Sequence, residues 1–360
     1  MRVIMTGGGT GGHIYPAIAI AEEIKKRHPD AEIIFAGTTH GMEKDIVPAN
    51  GYELRYITVS GLDRRNPLKN FKTAKDLMKG MAESKKLMKE CKPDVVIGTG
   101  GYVCGPVVRA AAQTGIRSFI HEQNAFPGLT NKLLSKKVET VFTAFEEAVP
   151  YFKTKKPVIT VGNPVRSAFA KTSRDEARKA LGLSEDEFVV LSFGGSLGAQ
   201  TINDQMQDAV RRFAGKDGIR IIFATGKRYY DRITGSAENI PQNVTYMRYI
   251  DDMPIYLAAC DLAVTRAGAL TVSEIMACGR ASIMIPSPNV TANHQYYNAK
   301  SVADKNAAIL IEEKNLAEGT VADVIERMAD DRSTTASMSE NAAKAGRIDA
   351  AKVICDTIGI

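Results

Sequence analysis

Short apolar runs rich in β-branched residues recur along the chain, separated by stretches with the spacing of amphipathic helices. Runs at residues 2–5, 32–35, 54–58, 95–97, 118–120, 138–142 and 157–161 read as strands, with segments such as 14–26 as helices between them. Runs that are apolar throughout, rather than alternating, fit strands buried on both faces, so the pattern predicts a parallel sheet covered by helices. A polar, helix-forming stretch at 172–181 follows, and then the pattern restarts with strands at 188–193, 220–224, 244–247, 262–265, 282–285 and 308–311. With 360 residues, two domains of roughly 150–200 residues are expected. The boundary falls near Gly162-Asn163-Pro164, giving domains at 1–162 and 163–340. Residues 341–360 read as one further helix that crosses back to brace the first domain.

Both halves open as strand, glycine-rich turn, helix: VIMTGGGTGGHIYPAIAIAEEI in the first and VVLSFGGSLGAQTINDQM in the second. A third turn, GTGGYVCGP (98–106), follows the strand at 95–97. Such turns bring the backbone close to a ligand and aim free N–H groups at a diphosphate or carboxylate. The expected architecture is α/β, two doubly wound domains facing each other across a cleft, with ligands beyond the carboxyl ends of the strands. Three turns suggest more than one phosphate-bearing ligand. A dinucleotide site is disfavoured, because IIFAGTTHGMEKD has no acidic residue placed to hold a ribose hydroxyl and His13 follows the loop where a small residue is wanted. No GK[ST] marks a phosphate-loop ATPase.

Charge adds one feature. The net charge is +6, but residues 64–92 hold ten Lys or Arg against three acids (Asp76, Glu83, Glu90), a local excess of +7. Leu68, Phe71, Leu77, Met78, Met81, Leu87 and Met88 are interleaved at helical spacing. The segment reads either as a surface for an anionic membrane or as a solvated helix packed on its own sheet. No recognised nucleic-acid module surrounds these cations, and aromatic residues are sparse there, so no nucleic-acid partner is expected. The first residues lack the apolar core of a signal peptide, and no run approaches the ~20 apolar residues of a membrane span. A cytoplasmic location is therefore expected. Five scattered cysteines without a CxxC pair fit buried thiols in a reducing compartment. With no HExxH and no DxD, no metal site is expected.

Several segments together resemble one family. GGGTGGHIYPAIAIA (7–21), SGL (60–62), GTGGYVCGPVV (98–108), HEQNAFPGLTNK (121–132), GNPVR (162–166), GGSLGAQTIN (194–203), YIDDM (249–253) and TRAGALTVSEIMACG (265–279) occur in the order found in glycosyltransferase family 28. The resemblance is to the bacterial peptidoglycan enzymes that add N-acetylglucosamine to undecaprenyl-diphospho-N-acetylmuramoyl-pentapeptide. It implies the GT-B fold, with the lipid acceptor on the first domain and the nucleotide sugar mainly on the second. It also implies an inverting reaction, in which the muramoyl C4 hydroxyl attacks the anomeric carbon and UDP leaves, yielding lipid II. UDP-N-acetylglucosamine would be a co-substrate and no cofactor would be required. The implied partners are lipid I, the cytoplasmic face of an anionic membrane, to which the enzyme would bind peripherally, and other cell-wall assembly proteins.

Roles follow residue by residue. His13 is a candidate to remove or orient the acceptor proton, since imidazole titrates near neutrality, although a histidine at a helix start can also merely hydrogen-bond. Thr10 would contact phosphate or acceptor, and Gly11 and Gly12 would approach the donor with Thr10 and His13. Glu274 would hold the two ribose hydroxyls and counts as catalytic with His13, the alternative being a surface carboxylate. The turn and helix start at Gly268, Ala269, Leu270 and Thr271 would stabilise the departing diphosphate. Ile250 would pack near uracil, Arg166 and Ser196 would bind the diphosphate, and Asn124 would reach the sugar from the first domain. Tyr102 would face the acceptor. His121 and Glu122 would have structural or acceptor-side roles. Gln295 would read the sugar hydroxyls beside His294, which stands where some members carry glutamine. Phe71, Leu77, Met78 and Met81, ringed by Lys72, Lys75, Lys79 and Lys85, would form a membrane-docking patch.

Rival readings are a UDP-N-acetylglucosamine 2-epimerase, a glycolipid glucosyl- or galactosyltransferase, and a non-catalytic nucleotide-sugar-binding scaffold. An epimerase needs no acceptor, a glycolipid enzyme turns over diacylglycerol or ceramide, and a scaffold survives His13→Ala.

Overall fold

A computed structural model describes residues 1–61, 70–235 and 240–360. The chain forms two compact units, one of residues 1–165 with 349–360 and the other of residues 166–348.

In the first unit seven parallel strands make one sheet: β1 (Arg2–Gly7), β2 (Glu32–Gly37), β3 (Glu53–Tyr56), β4 (Val95–Gly100), β5 (Arg117–Glu122), β6 (Thr140–Thr143) and β7 (Val158–Thr160). Their order is β3-β2-β1-β4-β5-β6-β7. Successive side chains point to opposite faces, and both faces are covered. Val3, Met5, Ile33, Phe35 and Ile97 pack with Ile14, Ile18 and Ile24 of the Gly11–Arg27 helix. Ile4, Ile34, Val96 and Ile120 pack on the other face with Val107, Val108, Leu87 and Met88. That is why β1 and β4 read as unbroken apolar runs.

The second unit repeats the plan with β8 (Phe188–Phe193), β9 (Ile219–Ala224), β10 (Val244–Met247), β11 (Leu262–Thr265), β12 (Ala281–Met284) and β13 (Ile309–Leu310) in the order β10-β9-β8-β11-β12-β13. In each sheet the strand order reverses once, between β1 and β4 and between β8 and β11. Crevices at such reversals, beyond the carboxyl ends of the strands, are where ligands bind in doubly wound sheets. The glycine-rich turns after β1, β4 and β8 and the TRAG turn after β11 all lie at these reversals.

Two expectations need correction. Residues 341–360 are not one helix. Arg332–Ala345 forms a helix of the second unit, and Ala350–Ile358 forms a separate one in the first. The break is at Gly346, where a Cβ would lie 2.6 Å from the Met276 carbonyl oxygen. The later helix buries Ile354 and Ile358 in the first core. It is tied there by Arg27, which donates to Asp356 Oδ1 and the Ile360 carbonyl, each at 2.7 Å.

The second correction concerns the basic segment, whose Asn70–Cys91 portion is helical. Arg64, Arg65, Leu68 and Lys69 lie outside the described residues. Leu87 and Met88 are buried, whereas Phe71, Leu77 and Met78 are 80%, 46% and 69% exposed. Met81, grouped with those three by the sequence, is half-buried against the core, because its position on the helix turns it toward the sheet. No helix among the described residues is long and apolar enough to cross a membrane.

Candidate functional site

In the first unit the turns after β1 and β4 interlock. Gly8 N–H donates to the Gly100 carbonyl at 3.3 Å. Thr99 Oγ1 donates to the His13 carbonyl at 2.7 Å, pinning the first turn of the Gly11–Arg27 helix to β4. A Cβ on Gly100 would fall 2.8 Å from His13 Nδ1, so the imidazole sits where only glycine leaves room. Thr10 occupies the N-cap in extended conformation, and its hydroxyl makes no cap bond. The first turn carries no acidic side chain. Exposed N–H groups, a free hydroxyl and a helix dipole together make an anion site.

His13 is held on one side only. Its Nδ1 lies 3.0 Å from the Thr99 carbonyl and 2.9 Å from Gln123 Oε1. Behind it, Gln123 Nε2 lies 3.0 Å from His121 Nδ1, and His121 Nε2 lies 2.8 Å from the Gly162 carbonyl. His121 is fully buried, and burial pushes its imidazole down to about 4, against the opposing pull of the Gly162 carbonyl. Both its nitrogens are occupied by the chain's own groups.

Glu122 is likewise buried and fully used. Oε1 accepts from the Asn124 N–H and side-chain amide, and Oε2 accepts from Gly128 N–H and Asn131 Nδ2. Of the two roles left open for His121 and Glu122, this geometry fits the structural one. Asn124 is thereby fixed at the start of its loop. Tyr102 is 59% exposed in the third turn, its ring against Gly61, where a Cβ would come to 2.4 Å.

In the second unit, Gly195 and Gly198 take positive φ (91° and 83°), and Gly198 N–H closes the turn onto the Gly195 carbonyl at 3.0 Å. The turn leaves Ser196 exposed. Gly268 caps the Ala269–Ala277 helix in extended conformation, again with no acidic side chain in the first turn. The N–H groups of Ala269, Leu270 and Thr271 lie at this second positive helix end. One turn further on, Glu274 is half-buried, and burial pushes its carboxyl up to about 7, opposed by the Arg166 guanidinium. Arg166 itself lies over the Phe169 ring, 5.2 Å from its centroid.

Ile250 is buried in the middle of the loop after β10. Before the His294–Ala303 helix, Ala292 and Asn293 both have positive φ (54° and 51°), a conformation that non-glycine residues hold only at a cost. This bend sets His294 and Gln295 at the helix start. His294 Nδ1 donates to the Thr291 carbonyl at 2.8 Å, and Gln295 Oε1 accepts from Ser287 N–H at 2.9 Å. Asn298 Nδ2 donates to the Ala267 carbonyl at 3.1 Å, tying this helix to the turn after β11.

Two residues absent from the sequence reading belong to the first-unit site. Gln123 joins the two histidines. Glu43, buried after β2, accepts from Gly9 N–H at 2.8 Å and from the Thr38 N–H and hydroxyl at 2.9 and 2.6 Å, so a carboxylate holds the first glycine turn. The only sequence signal for Glu43 is a carboxylate two residues after the glycine-containing TTHG.

Comparison with known proteins bears on both units. The N-terminal domain of glycosyltransferase family 28 matches residues 3–143, and its C-terminal domain matches residues 189–354. The UDP-N-acetylglucosamine--N-acetylmuramyl-(pentapeptide) pyrophosphoryl-undecaprenol N-acetylglucosamine transferase of Acetivibrio thermocellus is 45% identical over 99% of this chain and 97% of its own. The enzyme of the same name from Alkaliphilus oremlandii is 48% identical over 88% of this chain and 87% of its own. Among solved structures, Acinetobacter baumannii MurG superposes with a TM-score of 0.81 at 27% identity, covering 99% of both chains. With two parallel sheets of the GT-B type and matches that span nearly its whole length, the chain belongs to glycosyltransferase family 28.

Proposed function

We propose that the protein transfers N-acetylglucosamine from UDP-N-acetylglucosamine to the C4 hydroxyl of N-acetylmuramic acid in undecaprenyl-diphospho-muramoyl-pentapeptide, giving lipid II and UDP with inversion. The observation that carries this reading is the pairing of two helix-start anion sites, one beside His13 and one beside Glu274, on a chain of this family. A lipid diphosphate and a nucleotide diphosphate each need such a site.

His13 Nε2 takes the proton as the acceptor oxygen bonds to the anomeric carbon. The bond from that carbon to the diphosphate breaks, and its electron pair leaves with UDP. Charge growing on the leaving diphosphate is met by the N–H groups of Ala269, Leu270 and Thr271, the Ser196 turn and the Arg166 guanidinium. Glu274, ionised once donor is bound, accepts from the ribose hydroxyls, and Ile250 borders the base. Gln295, with His294 beside it, reads the sugar, and Asn124 is a further sugar contact. Thr10 and Tyr102 bind the acceptor, Gly11 and Gly12 approach the donor, and His121 and Glu122 support the acceptor side. No step calls on a cofactor.

The acceptor's polyprenyl chain lies in a membrane. Exposed Phe71, Leu77 and Met78 among Lys72, Lys75 and Lys79 support reversible docking at the cytoplasmic face of an anionic bilayer. Other cell-wall assembly proteins are candidate neighbours there.

The deciding experiment measures UDP release with and without a short-chain soluble analogue of the lipid acceptor. Acceptor-dependent release with matching disaccharide product is expected. Folded protein that binds donor without acceptor-dependent turnover overturns the reading in favour of an epimerase or a binding scaffold.

A further inference from the structure

We propose that Gln123, backed by His121, is a positioning residue that fixes the tautomer of His13 and keeps Nε2 as its bare, proton-accepting nitrogen. The inference rests on the reading of His13 as the group that takes the acceptor proton.

The hydrogen-bonded chain is anchored at both ends by backbone carbonyls, which only accept. The Gly162 carbonyl lies 2.8 Å from His121 Nε2, so that nitrogen carries a proton. The Thr99 carbonyl lies 3.0 Å from His13 Nδ1, so that nitrogen carries one as well. His121 is wholly enclosed, and burial holds its imidazole neutral at physiological pH. Its Nδ1 is therefore a lone pair and calls for a donor. The Gln123 side-chain nitrogen supplies it at 3.0 Å, and also donates to the His121 carbonyl at 3.2 Å.

With its nitrogen committed to His121, the Gln123 amide must turn its oxygen to His13, 2.9 Å from Nδ1. Rotating the amide by half a turn would set an N–H against the Nδ1 proton and an oxygen against the His121 lone pair. Both contacts would be repulsive, in a place where Gln123 is 1% exposed and water cannot relieve them. The Gln123 backbone is held as well, since its carbonyl accepts from Asn163 Nδ2 at 3.1 Å.

The arrangement decides where a proton can move. A neutral imidazole carries its proton on either nitrogen, and a histidine protonated at Nε2 has no lone pair to offer an acceptor hydroxyl. Here Nδ1–H is shared between the Thr99 carbonyl and Gln123 Oε1, so only Nε2 gains and loses a proton. In the transfer step the acceptor O–H bond breaks, its electron pair forms the new carbon–oxygen bond, and the proton makes Nε2–H. The same two oxygens then stabilise the imidazolium through Nδ1–H.

The test has two arms on the full-length protein. Nitrogen NMR of histidine-labelled wild type, with His13 signals identified by their loss in His13→Gln, is expected to show Nδ1 protonated and Nε2 bare. A bare Nδ1 overturns the proposal, and this arm needs no Gln123 variant to fold. In the second arm Gln123→Met keeps the side-chain length but removes the amide. Loss of one ordinary hydrogen bond predicts a fall in kcat of roughly fivefold to tenfold. The acceptor KM should stay unchanged, and the His13 nitrogen spectrum should move toward a mixture of tautomers. Folded Gln123→Met with wild-type kcat and an unmoved spectrum would leave the residue a purely structural part, against the proposal. Activity surviving in His13→Ala would instead sink the base assignment and leave the nitrogen result standing, so the two failures are distinguishable.

Discussion

A Cβ on Gly101 would lie 2.3 Å from the Gly8 carbonyl oxygen, so the first and third glycine turns are in backbone contact at that point. Gly9 has the same φ of 85° but open space around its Cβ position. The two glycines therefore separate conformational strain from steric exclusion. Gly9→Ala should cost about 1–2 kcal/mol, the left-handed penalty alone. Gly101→Ala adds a backbone clash and should cost about 2–4 kcal/mol. Urea unfolding of both variants checks the ordering, and equal losses would refute it.

Glu43 gives a pH-dependent test of the first turn. Burial favours the neutral acid, but the Thr38 hydroxyl and the N–H groups of Gly9 and Thr38 outweigh it and hold the carboxyl below its usual range. A depressed carboxyl contributes stability above its unfolded pKa and loses it as pH falls through the folded value. Glu43→Gln turns an amide N–H toward a donor and should cost about 1–3 kcal/mol at about pH 7. The gap to wild type should shrink on acidification toward about pH 3, and a gap independent of pH would contradict this account.

For Glu274 the sign is opposite. Its carboxyl is raised from 4.5 to about 7, so the stability it contributes is complete below the unfolded value and is lost as pH rises through the folded one. At about pH 8 the donor-free Glu274→Gln protein should melt higher than wild type. Its affinity for UDP-N-acetylglucosamine should nevertheless fall roughly 10- to 100-fold, because charge-assisted bonds to the ribose hydroxyls are lost. Calorimetric titration should also show wild-type affinity weakening as pH drops below about 7. Unchanged affinity in the variant would remove Glu274 from the donor site.

On the Asn70–Cys91 helix, Lys72, Lys75 and Lys79 are exposed beside Phe71, Leu77 and Met78. Reversing the three lysines to glutamate should weaken partitioning onto vesicles containing anionic lipid by about fivefold or more per residue. Turnover of a soluble acceptor should be untouched. Equal recovery of both proteins on such vesicles would refute the docking patch.

Much of the fold is legible because parallel strands buried on both faces leave unbroken apolar runs, as at β1 and β8. Glycine turns are legible because a backbone at positive φ or in close contact admits little else. What escapes is long-range. Gln123 bonds a histidine 110 positions away, and nothing in HEQNAF separates a buried relay from a surface amide. Arg178 sits in the stretch at 172–181 that reads as polar, yet it is 1% exposed, donating to the Asp261 carboxylate and to four backbone carbonyls. The break at Gly346 escaped because it depends on the Met276 carbonyl, far away in the chain.

The helix Ala350–Ile358 gives the protein an order of assembly. Residues 349–360 leave the ribosome only after all of 166–348, yet Ile354 and Ile358 close the first core over the Gly11–Arg27 helix. The half made first must therefore wait with part of its apolar surface uncovered while the half made second folds. The sheet that carries the β1 and β4 glycine turns is therefore completed last, after every residue of the sheet that carries the β8 and β11 turns has been made.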